Sequence, residues 1–227
     1  MNDIFDVLWE GFFEHYSEIK KFILDSTLNE RMKEEDVQYL DKFLKKAYRI
    51  NKKFYGFDLK FKIKLIYTRK EMDKEFGGKT ESFLSGFGWD NTVGFFAKSV
   101  FEKVTPHKID VYQDLVTHEL NHLFYQKLVG SHVPLWIQEG LAIYVESKKS
   151  NLKVYYSEIE KKHLFYRDCK GMWKEPEKSY RMSYSAVKNI MDKIGKNKFL
   201  NLLKIYSKNR TKDNYLKLFG KYIKEFS

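Results

Sequence analysis

Hydrophobic residues alternate with lysines over residues 59–67, and this period of two is the clearest strand signal in the chain. One face of the predicted strand is apolar, and the opposite face carries three lysines. Further along, Asp90-Asn91 is typical of a hairpin turn between two shorter strands. The predicted strands cover residues 59–67, 82–89, 92–98 and 99–104. Together they indicate a small mixed β-sheet.

The other long segments place apolar residues at steps of three and four, which predicts amphipathic helices. The predicted helices cover residues 3–24, 34–52, 69–76, 110–130, 134–146, 180–194, 199–206 and 216–226. The first of them is the most aromatic. Such a stripe usually packs in a core, and a cover for a groove or a partner is the alternative. Residues 147–179 are polar, and we expect partly irregular structure there. The predicted fold class is α+β and mostly helical.

The length and composition of the chain set the outer limits of its organisation. At 227 residues and 43% hydrophobic composition, without a Pro- or Gly-rich linker, we predict a single domain. The one cysteine, Cys169, excludes an internal disulfide and a cysteine-based zinc cluster. The first residues do not look like a signal peptide, and no run of about eighteen apolar residues occurs. We therefore expect a soluble, cytoplasmic protein without a membrane span.

The net charge of +11 is concentrated in the last third of the chain. Residues 148–227 carry a balance of +13, and residues 1–147 one of −2. Such a basic segment can attract nucleic acid, an anionic membrane or an acidic substrate. Its basic residues are spread along the predicted helices without an arginine-rich or zinc-knuckle signature, which favours solvated helix faces. Nucleic acid is therefore the less favoured partner, and any binding to it is predicted to be weak, independent of sequence and strongly salt-dependent.

The run HELNH at residues 118–122 has the H-E-x-x-H spacing. Residues four apart lie on one face of an α-helix, so the two histidines can direct their imidazole nitrogens at one small cation. Glu119 lies beside the pair, within reach of a water on that cation. Two chance histidines on a surface helix are the alternative. Asp110 as N-cap and Gly130 as C-terminal stop place the run in the middle of a helix, which favours the metal site.

A third ligand is predicted from the segment that follows this helix. Pro134 is well placed to start a second helix, and a short turn between two helices makes them antiparallel neighbours. Glu139 would then face His118 and His122 across the gap. A carboxylate in an apolar helix needs a partner, which zinc supplies; an ordinary surface glutamate is the alternative. Two histidines and one further protein ligand leave a coordination position open, as in catalytic zinc sites.

Glu146 lies seven residues beyond Glu139, on the same face of the predicted helix. It is a candidate acceptor for the second nitrogen of a ligand imidazole. A solvated glutamate is the favoured interpretation of this residue. The histidines outside the motif are interpreted as ordinary polar residues: His15, His107, His132 and His163.

Three motifs resemble the gluzincin zinc peptidases, and most closely their peptidase-MA-like branch. They are H-E-L-x-H at residues 118–122, W-x-x-E-G-x-A-x-Y at residues 136–144 and Y-x-x-S-Y-S-x-V at residues 180–187. The resemblance covers residues 80–210. The sequence departs from the family pattern at two points. Asn121 replaces the common threonine, and the interval from His122 to Glu139 is shorter than in several gluzincins.

This resemblance implies a catalytic zinc site in a gluzincin-like fold. It implies zinc as the cofactor, held by His118, His122 and Glu139. It also implies metal-assisted hydrolysis of a peptide or protein substrate, with Glu119 as the general base. Tyr180 is the first candidate, and Tyr184 the second, for the donor to the oxyanion of the tetrahedral intermediate. The alternative is that both tyrosines only pack.

The expected architecture has two lobes with the metal in the cleft between them. Residues 56–130 form an upper lobe with the sheet and the motif helix. Residues 131–227 form a helical lower lobe, and residues 1–55 form a helical appendage on the outside. An extended substrate is expected to pair with an edge strand over residues 92–98, where Gly94 allows close approach.

Two other classes of protein stay open from the sequence. One is a basic nucleic-acid-associated factor whose metal site is structural or vestigial. The other is a peptide-binding module that keeps the fold without turnover. The intact Glu119 disfavours both classes, because a structural metal site needs no general base.

Overall fold

The structure is a computed structural model that describes residues 22–24, 33–146, 155–165 and 175–226. It is mostly helical with one small mixed sheet, which confirms the predicted α+β class. The strands are β1 (Phe22–Leu24), β2 (Phe61–Ile66), β3 (Gly86–Trp89) and β4 (Thr92–Phe96). The helices are α1 (Glu34–Tyr55), α2 (Arg69–Glu75), α3 (Lys98–Val104), α4 (Tyr112–Val129), α5 (Leu135–Glu146), α6 (Glu158–Leu164), α7 (Pro176–Ile194), α8 (Lys196–Lys208) and α9 (Lys212–Lys224). In this described part of the chain, no helix has both the length and the apolar character that a membrane crossing requires.

The sheet has the strand order β1-β2-β4-β3. β2 pairs in parallel with both β1 and β4, and β3 runs antiparallel to β4. The predicted hairpin turn is confirmed, because Asp90 and Asn91 adopt the positive φ values, 46° and 61°, that a two-residue hairpin turn requires. β4 lies inside the sheet, so the prediction that residues 92–98 offer an edge to a substrate is wrong. β3 is the edge strand on that side of the described sheet.

Three segments differ from their predicted secondary structure. Residues 82–85, predicted as the first half of a strand, form a loop that leads into β3. Residues 22–24, predicted as the end of the first helix, form β1 and pair with β2; residues 3–21 of that predicted helix lie outside the described residues. Residues 99–104, predicted as a strand, belong to α3. The buried carboxylate of Asp36 accepts hydrogen bonds from the amide and the hydroxyl of Ser99, and so satisfies the start of α3 from another helix. A local sequence pattern cannot predict such a tertiary cap.

The other predicted helices are confirmed with shifted ends. α7 begins at Pro176 and α9 at Lys212, each about one turn earlier than predicted. The predicted irregular segment contains α6, and its residues 147–154 and 166–174 lie outside the described residues.

α1 packs along α4 and shares one hydrophobic core with α4 and the sheet. Leu40, Leu44 and Ala47 of α1 are buried in that core. The division into an appendage and two lobes stays a prediction, with α1 contributing to the same core as the motif helix.

Candidate metal centre

The H-E-x-x-H run lies in the middle of α4, as predicted. This helix begins at Tyr112, after a 3₁₀ turn over Ile109–Val111, so the prediction of Asp110 as its N-cap is wrong: the chain enters α4 through that tighter turn, and Asp110 lies within it. Gly130 ends the helix as predicted, with a φ of 70° in the left-handed region that favours glycine. The helical spacing brings the two imidazole rings of the motif to a centroid distance of 4.7 Å.

Glu139 of α5 faces both histidines of α4. Its Oε2 atom lies 3.2 Å from His118 Nε2 and 3.6 Å from His122 Nε2. One donor atom from each of the three side chains lies within 4.8 Å of the other two. α5 begins directly after Pro134 and packs against α4, as the short turn predicts. The structure thus brings together the three residues that the sequence proposes as ligands.

The three side chains fit a zinc ion in their chemistry and their burial. Two imidazole nitrogens and one carboxylate oxygen are a donor set that zinc takes in sites with an open coordination position. The exposed fractions of His118, His122 and Glu139 are only 14%, 9% and 12%. Burial alone would raise the pKa of Glu139, but the two histidines outweigh it and lower that pKa, which keeps the carboxylate ionised as a ligand must be. Within the described ranges, this is the one cluster of histidine, cysteine and acidic side chains that is arranged to hold a metal ion.

Glu146 stabilises the orientation of the His118 ring. The Nδ1–H of His118 donates to Glu146 Oε2 at 2.8 Å, which leaves Nε2 directed at Glu139. Burial alone would lower the pKa of His118, but the carboxylates of Glu146 and Glu139 outweigh it and raise that pKa well above its ordinary value. The favoured interpretation of Glu146 as a solvated residue is therefore wrong. The helical spacing from Glu139 was the signal that identified the alternative.

Glu119 lies beside the cluster formed by the three predicted ligands. Its Oε2 is 3.9 Å from His122 Nε2, and only 8% of the residue is exposed. Burial is the main reason that the pKa of Glu119 rises to about 8. A carboxylate in this position can exchange a proton with a molecule that sits in front of the cluster.

β3 lies directly against the motif helix, and two glycines allow this contact. A Cβ atom on Gly86 would lie 2.8 Å from Glu119 Cγ, and one on Gly88 would lie 2.2 Å from the Glu119 carbonyl oxygen. Any larger residue at these two positions would push the strand away from α4. Sequence reasoning missed both glycines, although their alternation with Phe87 and Trp89 marks one side of the strand as free of side chains.

The two candidate tyrosines occupy different positions on α7. The Tyr180 ring lies 6.3 Å from the His118 ring, centroid to centroid. Burial raises the pKa of Tyr180, and the carboxylates of Glu139 and Glu119 raise it further. Tyr184 is buried one turn later, near Lys188, whose pKa is raised first by a hydrogen bond to Asp192 and to a lesser extent by Tyr184. The structure gives Tyr180 the position beside the cluster.

Close packing of α5 and α7 makes this position of Tyr180 available. A Cβ atom on Gly140 would lie 2.3 Å from the Ser183 carbonyl oxygen. Only glycine allows the backbones of the two helices to approach so closely. The glycine that follows Glu139 in the sequence motif thus acts on the site through helix packing.

Comparison with known protein families gives a match over the part of the chain that carries the cluster. A family model described as the peptidase MA superfamily matches residues 79–223, which is more than half of the chain. The search of curated proteins and the search of solved structures found no match. The matched range contains α4, α5 and α7, the helices that carry the cluster and Tyr180.

Proposed function

The chain belongs to the peptidase MA superfamily, and we propose that it hydrolyses peptide bonds with zinc as its cofactor and water as the nucleophile. The substrate in this proposal is a peptide or an unfolded protein. The zinc ligands are His118, His122 and Glu139, which converge between α4 and α5.

The observation that carries the proposal is a fourth buried side chain, Glu119, beside a cluster of only three donors. A structural zinc site is normally closed by four protein ligands, whereas a catalytic site has three and leaves one position for a water or substrate. Glu119 lies 3.9 Å from His122 Nε2 and next to the edge strand β3. A general base in that location serves a reaction and adds nothing to metal retention.

The proposed reaction moves one proton through Glu119. Zinc, when bound, supplies Lewis acidity that acidifies a water and polarises a carbonyl group. Glu119 accepts the proton of the attacking water and then delivers it to the nitrogen of the leaving amine. Glu146 holds the His118 ring in place through the Nδ1–H hydrogen bond, so the Nε2 atom stays directed at the other two proposed ligands.

Tyr180 is proposed as the donor to the oxyanion that develops on the scissile carbonyl. Its phenol is the hydroxyl group that α7 presents next to His118 and the carboxylates of the site. Tyr184, the second candidate, is buried one turn further along α7.

Tyr180→Phe is expected to lower kcat by about 10²- to 10³-fold, because one donor to the oxyanion is removed. KM and zinc content should change little. In this proposal the phenol is not a zinc ligand, and its hydrogen bond forms mainly in the transition state. Tyr184→Phe is the matched control and should keep kcat within about threefold. Steady-state kinetics of the two variants check the assignment, and a large loss confined to Tyr184→Phe would reverse it.

The substrate is proposed to pair with β3, the edge strand beside the cluster. In a two-residue hairpin the pair that flanks the turn, here Trp89 and Thr92, is hydrogen-bonded. Hydrogen-bonded and non-hydrogen-bonded pairs alternate along an antiparallel ladder, so Gly88 and Gly86 belong to non-hydrogen-bonded pairs. Their N–H and C=O groups therefore point away from β4, towards the open edge of the sheet. The Gly88 carbonyl already accepts a hydrogen bond from Gln126 Nε2 at 2.6 Å. Gly86, next to Glu119, is therefore the position at which an extended substrate can add to the sheet.

Metal analysis and chelation test the proposed function directly. We expect purified protein to contain about one zinc per chain and to hydrolyse unfolded casein. Removing the metal with a chelator should abolish hydrolysis, and adding zinc back should restore it. Zinc at one hundred times its dissociation constant should also stabilise the fold by about 2.7 kcal/mol, measured as a shift of the thermal unfolding midpoint. Zinc-loaded protein that leaves casein intact would refute the proposal.

A further inference from the structure

The loop that leads into β3 is held by Arg69, the first residue of α2. We call residues 80–85 the approach loop. The guanidinium donates four hydrogen bonds, and all of its acceptors are backbone carbonyl oxygens. They are Glu81 at 3.3 Å, Ser82 at 2.8 Å, Leu84 at 2.7 Å and Val104. Three of these four acceptors lie in the approach loop.

Two further side chains hold the same loop. Asp73, one helical turn after Arg69, accepts hydrogen bonds from the amide of Thr80 at 2.8 Å and from its hydroxyl at 2.6 Å. His107 Nε2–H donates to the Phe83 carbonyl at 3.0 Å. α2 therefore holds the start of the loop through Asp73 and most of the rest through Arg69.

Arg69 ties the loop to the sheet. Its guanidinium lies over the ring of Phe96, the last residue of β4, with 4.7 Å between Cζ and the ring centroid. Its fourth acceptor, the Val104 carbonyl, is at the end of α3. A planar fork with five N–H donors can satisfy such a spread of acceptors and stack on an aromatic ring, which a lysine ammonium cannot do.

Only the end of the approach loop contributes to the core, where Leu84 packs against it and Ser85 is buried. Glu81, Ser82 and Phe83 are exposed, and Phe83 leaves 40% of its surface in solvent. Core packing therefore does not explain why a partly buried guanidinium is directed at the backbone carbonyls of Glu81 and Ser82. What the loop does determine is the position of the residue that follows it, because Gly86 is the first residue of β3.

We infer that Arg69 is a positioning residue that sets the place of the β3 edge over Glu119, and through it the binding of an extended substrate. A Cβ atom on Gly86 would lie only 2.8 Å from Glu119 Cγ, so the strand has little room to move towards the helix. Movement away from α4 displaces a paired substrate from the general base, and a misplacement of about 1 Å can cost about 10²-fold in rate. The inference rests on the proposed function, because it assumes that a substrate pairs with β3.

Arg69→Lys tests this inference, because it keeps the charge and removes the fork. Hydrogen exchange of the amides in residues 81–89 should accelerate about tenfold or more, while exchange in α4 stays unchanged. Binding is measured in a Glu119→Gln background, with zinc bound and unfolded fluorescein-labelled casein as the probe, by fluorescence anisotropy at moderate salt. Arg69→Lys should raise the dissociation constant for casein about tenfold or more. Zinc affinity should stay within about twofold, since no ligand is touched.

Two control variants separate positioning from general destabilisation. Lys70→Ala changes the exposed neighbour of Arg69 on α2 and should behave like its parent in both measurements. Ile223→Val removes a buried methyl group from α9 and should lower the thermal unfolding midpoint without changing casein binding.

Four results would overturn the inference. Unchanged exchange in residues 81–89 would mean that Arg69 does not hold the loop. Faster exchange with unchanged casein affinity would mean that the loop does not position a substrate. An equal loss of casein affinity in Ile223→Val would mean that the effect comes from lower stability. If the zinc-loaded Glu119→Gln parent does not bind casein, β3 is not a docking strand for this substrate. Failure of the proposed function looks different: the wild-type protein would bind casein and zinc without cleaving casein.

Discussion

Glu119→Gln is expected to retain zinc and to lower the rate of casein hydrolysis by about 10²- to 10⁴-fold, the usual contribution of a general base. Glutamine has the same shape as glutamate, so it fits the narrow space between α4 and Gly86. Its amide cannot accept a proton from the attacking water. The three proposed ligands are unchanged, so the metal should stay bound.

Zinc content per chain and initial hydrolysis rates, measured on the same protein samples, check this prediction. Glu35→Gln is a suitable control, because it makes the same chemical change at an exposed position of α1. A Glu119→Gln protein that is as active as the wild type would show that another group serves as the base. Loss of zinc together with activity would instead assign Glu119 a role in metal retention.

The parts of the site that the sequence predicts are those that depend on local geometry. The spacing of His118 and His122 places them on one face of α4, and this placement depends only on the helix itself. Glu139 follows after a short turn, and a short connection makes two consecutive helices pack as antiparallel neighbours. The alternation predicts the strand over residues 61–66, and the burial pattern follows it as far as Leu65; Ile66, on the lysine face, is buried as well.

The strand that borders the site could not be predicted, because strand order is a property of the whole sheet. A hairpin pattern shows that β3 and β4 pair, but not which of them also meets β2. The structure inserts β4 next to β2 and leaves β3 at the edge against α4. The predicted role of Gly94 changes with this order: the ring of Phe87 covers the position of its missing Cβ, at 2.2 Å.

The departure from the family pattern at Asn121 also has a tertiary cause. The side-chain amide of Asn121 donates to Asn51 Oδ1 at 2.8 Å, and its oxygen accepts a hydrogen bond from the Tyr55 hydroxyl at 3.1 Å. Asn51 in turn donates to the Thr117 carbonyl at 3.2 Å. This buried network joins α1 to the middle of the motif helix, and it suits an amide side chain, which donates from one atom and accepts at another. Its members are far apart in the sequence, so no local pattern reveals it.

Glu139→Ala is expected to abolish hydrolysis and to weaken zinc binding by more than about 100-fold. Loss of a residue that only hydrogen-bonds to a ligand already costs roughly 10- to 100-fold in metal affinity, and Glu139 is proposed as a ligand itself. In many other H-E-x-x-H proteins the third ligand is a histidine six residues beyond the second. That position is Leu128 here, which has no donor atom for zinc. The nearest later histidine, His132, is exposed in the turn between α4 and α5, whereas Glu139 lies within 3.6 Å of both motif histidines.

His132→Ala is therefore the matched comparison, and it should leave zinc affinity and hydrolysis close to those of the wild type. Glu139→Gln should be made alongside Glu139→Ala, because it keeps the buried volume and separates loss of the negative ligand from a cavity in the helix interface. Zinc titrations against a competing chelator dye measure all three variants. Strong zinc binding in both Glu139 variants, with a loss in His132→Ala, would place the third ligand in the inter-helix turn and make the gluzincin arrangement of this site wrong.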